Sequence, residues 1–178
     1  MGWNFSVIKG LKSGEPTKRI ILLLGLDGAG KTTLLFRLRD NEFTDTVPTI
    51  GLNIEEIDYK GTGLTLWDVS GKSRKLWKHY YDRVDAIIFV VDSSDPDRIE
   101  DVKSELANLL LEPTLNELPM LIFWNKADIS TDTSVELQLF EKLKWLKTST
   151  TNFEIAPWSA KTGVGVWEGI GKLVHLFK

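Results

Sequence analysis

The chain has no cysteine in its 178 residues, which removes disulfide frameworks, zinc–thiolate clusters and thiol catalysis. Its two histidines, His79 and His175, lie far apart and outside any metal-ligand spacing. No uninterrupted apolar run approaches the ~20 residues of a spanning helix. The first residues lack the apolar stretch and small-residue cleavage site of a secretory signal. A large excess of one charge sign is also missing. The 22 Lys plus Arg against 25 Asp plus Glu leave a net charge of −3, without the basic excess of broad nucleic-acid binders. Repeats and low-complexity tracts are absent. What remains is an ordinary composition, 42% apolar and 26% charged. The length suits one domain burying about two-thirds of its unfolded surface. The expectation is a cytoplasmic, monomeric domain with no nucleic-acid partner.

The hydrophobic pattern alternates strand and helix. Arg19–Leu24, Ala86–Val91 and Met120–Trp124 are continuous apolar runs, as in strands buried on both faces. Leu52–Tyr59 and Leu64–Asp68 read as two short strands joined at Lys60-Gly61-Thr62-Gly63, and a last strand is expected at Phe153–Ile155. Helices are expected at Lys31–Arg39, from Pro96 to about Leu111, at about Val135–Leu146, and around Val164–Phe177. Six strands separated by helices imply an α/β fold with three layers and a mostly parallel sheet, the hairpin adding one antiparallel edge. Ligands of such sheets bind beyond the carboxyl ends of the strands.

The loops after those strands carry the chemistry. Gly25-Leu26-Asp27-Gly28-Ala29-Gly30-Lys31-Thr32 satisfies G-x-x-x-x-G-K-[ST] in full, after a buried strand and at the start of a helix. Glycines let the backbone wrap a phosphate, and the helix start offers unpaired N–H groups and a favourable dipole. Asp27, Gly28, Ala29, Gly30, Lys31, Thr32 and Thr33 are the candidate phosphate-binding residues. Lys31 would reach the β- and γ-phosphates, and the Thr32 hydroxyl would bind Mg²⁺.

Asn125-Lys126-Ala127-Asp128 follows the strand Met120–Trp124. A carboxylate at Asp128 accepts from both N1–H and the exocyclic amine of guanine, and adenine presents no such donor pair. Ser159-Ala160-Lys161 follows the last strand, where a backbone N–H can meet the guanine carbonyl oxygen. Each piece alone is weak. The ordered set of phosphate loop, Asp68-Val69-Ser70-Gly71, Asn125–Asp128 and Ser159–Lys161 is specific. It disfavours an ATP-using P-loop kinase, since Asp128 selects guanine and no arginine-rich lid is present. Trp77 and Trp124 read as packing residues rather than stacking platforms for a base.

At this point the chain resembles a small GTPase, and more finely the Arf/Arf-like family. The residues that carry the likeness are the loop GLDGAGKTTLL, Pro48-Thr49-Ile50-Gly51, Trp67-Asp68-Val69, His79-Tyr80-Tyr81 and Val91-Asp92-Ser93-Ser94-Asp95. Ser159-Ala160-Lys161 is closer to Arf-like members than to the Arf proteins. The resemblance implies a P-loop GTPase fold that binds GDP and GTP with Mg²⁺. It gives Thr49 a place over Mg²⁺ and the γ-phosphate, Asp68 a hold on a metal-bound water, and the Gly71 N–H the sensing of the γ-phosphate. Thr32, Thr49 and Asp68 would form the metal site. It further implies effectors bound in the GTP state, an exchange factor, an activating protein, and a role in membrane traffic or cargo release. Leu52–Trp67 would be the hairpin that slides when the N-terminal segment is released.

The departures from the family matter as much. After the Asp the family has Val-Gly-Gly-Gln, where this chain has Val69-Ser70-Gly71-Lys72, and Lys72–Trp77 is shorter than the matching segment. The missing glutamine orients the attacking water. Lysine has three donors and no acceptor, so Lys72 at the catalytic position is expected to slow hydrolysis. The rival reading is a pseudo-GTPase, a nucleotide-bound binding module that does not hydrolyse.

The N-terminal segment, residues 1–16, is read apart from the GTPase domain, residues 17–178. Trp3, Val7 and Leu11, extended by Phe5 and Ile8, form the stripe of a short amphipathic helix. Residues 2–12 are expected to make reversible contact with membranes. Met1-Gly2-x-x-x-Ser6 fits the myristoylation pattern at Gly2, although Trp3 directly after the glycine is disfavoured.

Overall fold

A computed structural model describes residues 18–115, 117–129 and 152–177. The buried apolar runs become the centre of a six-stranded sheet in the order β2-β3-β1-β4-β5-β6. β1 is Lys18–Leu24, β2 Leu52–Tyr59, β3 Thr62–Val69, β4 Ala86–Asp92, β5 Met120–Asn125 and β6 Phe153–Pro157. Every neighbouring pair is parallel except β2 with β3, which are antiparallel in the register Leu52↔Val69 to Tyr59↔Thr62. The hairpin turn is only two residues, Lys60–Gly61, so β3 starts two residues before the expected Leu64.

Side-chain alternation splits the core into two layers, one on each face of the sheet. Leu22, Leu24, Ile87, Phe89, Val91, Ile122 and Trp124 face α2, Ile99–Leu110, and the 3-10 helix Arg74–Arg83. Ile21, Leu23, Ile88, Val90, Leu121 and Phe123 face α1, Lys31–Asp40, and α3, Val166–Leu176. The apolar stripe of α1 is Leu34, Leu35 and Leu38, and that of α3 is Val166, Ile170 and Leu173. Burial on both faces is why these strands read as unbroken apolar runs.

Local departures from the sequence expectation have local causes. The helix expected from Pro96 begins as a 3-10 turn, Pro96–Arg98, before α2 takes over at Ile99. The last helix starts at Val166, after a turn closed by Gly163 N–H to Ser159 O at 2.8 Å. The 3-10 helix Arg74–Arg83 had no counterpart in the pattern. Its buried residues are Trp77 and Tyr81, held by burial rather than periodicity. The helix expected at Val135–Leu146 and the N-terminal stripe with Gly2 lie outside the described residues. Among the described residues no helix is long and apolar enough to cross a membrane.

The chain runs from β1 through α1 to β2 and β3 on one side of β1, then returns to β4 on its other side. The strand order therefore reverses at β1, and the crevice beyond its carboxyl end is where a ligand of such a sheet binds.

Candidate functional site

The loop Gly25–Gly30 leaves β1 and turns into α1 at that reversal. Gly30 adopts φ +98°, and a Cβ there would stand 2.2 Å from Asn125 Nδ2, so both conformation and space demand glycine. Lys31 folds back over the loop, donating from Nζ to Gly25 O and Leu26 O at 2.9 Å each. Burial pushes its pKa down to about 8, against the raising effect of the Asp68 and Asp27 carboxylates. An amine held dry behind a ring of backbone is poised to take up a phosphate.

Beyond it lies a cavity of about 120 Å³ lined by Gly28, Gly30, Lys31, Thr32, Thr49, Gly71 and Lys72, among others. On its floor two hydroxyls meet one carboxylate. Thr32 Oγ1 donates to Asp68 Oδ2 at 2.6 Å and Thr49 Oγ1 donates to the same oxygen at 2.9 Å, with the hydroxyls 2.7 Å apart. Asn53 Nδ2 donates to that oxygen at 3.4 Å. Asp68 is wholly buried, yet its Oδ1 has no hydrogen-bond partner. A buried carboxylate oxygen left unpaired costs free energy, and a carboxylate with two hydroxyls beside it is a set of hard oxygen ligands that fits a divalent cation such as Mg²⁺.

The segment after Asp68 lies directly against the phosphate loop. A Cβ on Gly71 would stand 2.5 Å from the Asp27 nitrogen, so no larger residue fits without displacing the loop. Lys72 follows it into the cavity wall. The departure into the 3-10 helix is tied by Trp77 Nε1 to Ser70 O at 3.2 Å.

The other half of the site sits between the ends of β5 and β6. A cavity of about 330 Å³ is lined by Ala127, Asp128, Trp158, Ser159, Thr162 and Val164, among others. Asp128 is exposed there, while Asn125 is 1% exposed and faces inward. Asn125 Nδ2 donates to Ala29 O at 2.7 Å, and its Oδ1 accepts from Lys126 N at 2.7 Å and Ala160 N at 3.2 Å. One side chain thus bonds the phosphate loop, its own loop and the Ser159–Lys161 loop together. Lys126 pairs with Asp92 at the end of β4, and the Ser159 hydroxyl accepts from Thr162 N–H at 3.1 Å.

Every residue expected at the nucleotide site from the sequence lies around these two cavities or in the loops that bound them. Thr33, just behind the loop, meets the Thr46 hydroxyl at 3.2 Å, and Lys161 is exposed in the loop after β6. Two arginines escaped the sequence reading. Arg37, 8% exposed on α1, donates to Ala160 O at 3.0 and 2.8 Å and to Lys161 O at 2.6 Å. Its position within the stripe Leu34–Leu38 was the available signal, because a buried arginine requires acceptors. Arg98, in the turn after β4, donates to Asp27 O at 3.1 Å, and no pattern in the sequence pointed to it.

A phosphate loop after β1, carboxylate and hydroxyls at its edge, and a second pocket beyond β5 and β6 define the class, a small GTPase with the P-loop fold. The chain matches the model of the ADP-ribosylation factor family over residues 5–177. It belongs to that family, and is a guanine-nucleotide-binding switch protein. It is 42% identical over 174 residues to ADP-ribosylation factor J of Dictyostelium discoideum, covering 93% of this chain and 88% of that protein. ADP-ribosylation factor K of the same organism is 42% identical over 167 residues, with the same coverage, 93% and 88%. The solved structure of the Arl6 BBS3 small GTPase from Trypanosoma brucei, with the bound nucleotide analogue GppNp, superposes with a TM-score of 0.77. It is 35% identical, with 89% of this chain and 96% of that chain covered.

Proposed function

We propose that this protein is a Mg²⁺-dependent guanine-nucleotide switch that hydrolyses GTP slowly and recruits effectors in membrane traffic or cargo release. The observation that carries the reading is the Asp68 cluster beside the phosphate cavity, one carboxylate oxygen bonded by the Thr32 and Thr49 hydroxyls and the other buried without a partner. Thr32 and Thr49 would hold Mg²⁺ directly and Asp68 through a water. The ion would neutralise charge on the β- and γ-phosphates. Lys31 would move its donors from the loop carbonyls to phosphate oxygens. The Gly71 N–H would report the γ-phosphate, and Asp128 would read guanine, with Ser159–Lys161 closing over the base.

The slow step follows from Lys72, which lines the phosphate cavity and cannot accept a hydrogen bond from an attacking water. Removing one well-placed hydrogen bond from such a transition state costs about a hundredfold or more. Single-turnover hydrolysis by the wild type should therefore be slower than the roughly 10⁻⁴ per second of small GTPases lacking a cis arginine. Lys72→Gln should raise it, incompletely if the short segment misaims the side chain. A wild-type rate in the ordinary range, unmoved by Lys72→Gln, would remove the claim.

The rival is a pseudo-GTPase that binds nucleotide and never turns it over. It is favoured by the same lysine, and would show no hydrolysis even with cell extract as a source of an activating protein. An effector face is supported by apolar residues left in solvent near the phosphate cavity, Val47 82% and Ile50 97% exposed, and by Ile54 on the edge strand β2. Contact with membranes through residues 2–12, with or without acylation of Gly2, remains part of this reading on sequence grounds.

A further inference from the structure

A carboxylate on a phosphate-binding loop calls for an explanation. Asp27 and Gly28 both line the phosphate cavity, where a bound nucleoside di- or triphosphate brings several negative charges. Left alone, Asp27 would repel them. Its partner is Arg98, which arrives from the turn after β4, 71 residues along the chain. Arg98 Nη1 donates to Asp27 O at 3.1 Å and to Asp27 Oδ1 at 3.3 Å. The other side of the fork is anchored, with Nε donating to Asp95 Oδ2 at 2.6 Å and Nη2 meeting the same oxygen at 2.6 Å. The guanidinium also flanks the next loop residue, its Nη2 3.9 Å from where a Gly28 Cβ would stand. The turn that carries Arg98 starts from Asp92, which holds Lys126 of the base loop.

We propose that Arg98 is a positioning residue for nucleotide retention, a latch that neutralises Asp27 so that the loop can hold a polyanion. The inference rests on the guanine-nucleotide reading of the site. A guanidinium suits the task because its planar fork serves Asp95 and Asp27 at once and stays charged at any physiological pH. Side-chain exposures of 35% for Arg98 and 49% for Asp27 put the latch within reach of solvent. Opening it would return an unpaired carboxylate to the phosphate site and hasten release.

The test is the rate at which the full-length protein, loaded with a fluorescent anthraniloyl GDP, releases it into excess GDP. Arg98→Ala should release about tenfold faster than wild type at low salt, a screened charge effect that shrinks by 0.5 M salt, where the screening length is only about 4 Å. Asp27→Asn should release more slowly than wild type. The double variant Arg98→Ala/Asp27→Asn should return to within about twofold of the wild type, because it restores the charge balance of the loop. Arg98→Gln, similar in reach but uncharged, serves as a second variant and should behave as Arg98→Ala. Release at the wild-type rate in both Arg98 variants overturns the latch. So does a double variant that releases as fast as Arg98→Ala alone, which would make Arg98 a support of the fold alone. A wild type that takes up no guanine nucleotide would fail at the loading step, and would overturn the nucleotide reading along with the latch.

Discussion

The two halves of the site are built by opposite means. Around the base pocket, loops are bonded to one another through buried and half-buried side chains. Asn125 joins three of them, Arg37 holds the Ser159–Lys161 loop from behind, and Lys126 is tethered to Asp92. On the phosphate side, Thr49 reaches the core through the Asp68 cluster, while Val47 and Ile50 next to it stand in solvent. The contrast teaches where selectivity and switching can reside. A pocket fixed by internal bonds discriminates one base in every state, since its donors and acceptors need no ligand to align. A segment held through hydroxyls that a metal would recruit can change place when the ligand changes.

Three experiments break or sharpen that contrast. The largest effect is expected on the base side. Asp128→Asn replaces a charged acceptor with an amide, and should cost about 2–4 kcal/mol of GDP affinity while shifting preference toward xanthine nucleotides. Titration showing GDP bound as tightly as by the wild type would take the base pocket away from Asp128.

Next comes the rigidity of that half. Arg37→Ala strips the donors from Ala160 O and Lys161 O in a buried setting, and should destabilise the protein by about 2 kcal/mol. For a chain of this size that is a fall of about 4–8 °C in thermal midpoint. An unchanged midpoint in a scanning melt would mean the loop is supported by other contacts and the contrast is overdrawn.

The smallest effect is on the phosphate side and appears as a pH dependence. Lys31 has its pKa pushed down to about 8 by burial, so the nucleotide-free site begins to lose this charge as pH rises through that value. Phosphate oxygens favour the charged form and would raise the pKa again, so binding takes up a proton above about pH 8. GDP affinity should then weaken by up to about tenfold per pH unit from there upward, while below that window it stays flat with respect to Lys31. Calorimetry at pH 8 in buffers of differing ionisation heat should show fractional proton uptake. Its absence would mean Lys31 is already fully charged in the free protein.

Much of the site was legible because it is local in sequence. The phosphate loop needs glycines at fixed offsets between a buried strand and a helix, and the hairpin, the central strands and the Asn125–Asp128 loop each announce themselves within about ten residues. Periodicity also located the face of α1 that packs on the sheet. The 3-10 helix Arg74–Arg83 was missed because its order comes from burying Trp77 and Tyr81 against distant elements, a property without a period.

By itself the sequence determined the class of fold, the family resemblance and which loops carry chemistry, since each depends on residue types at short, fixed spacings. Tertiary structure alone decided what those loops lean on. Asn125 meets Ala29 across 96 residues, Arg37 meets Ala160 across 123, and Arg98 meets Asp27 across 71. Such pairs form only because the parallel sheet brings the ends of β1, β4, β5 and β6 to one edge. No local rule of spacing constrains which donor will face which acceptor there.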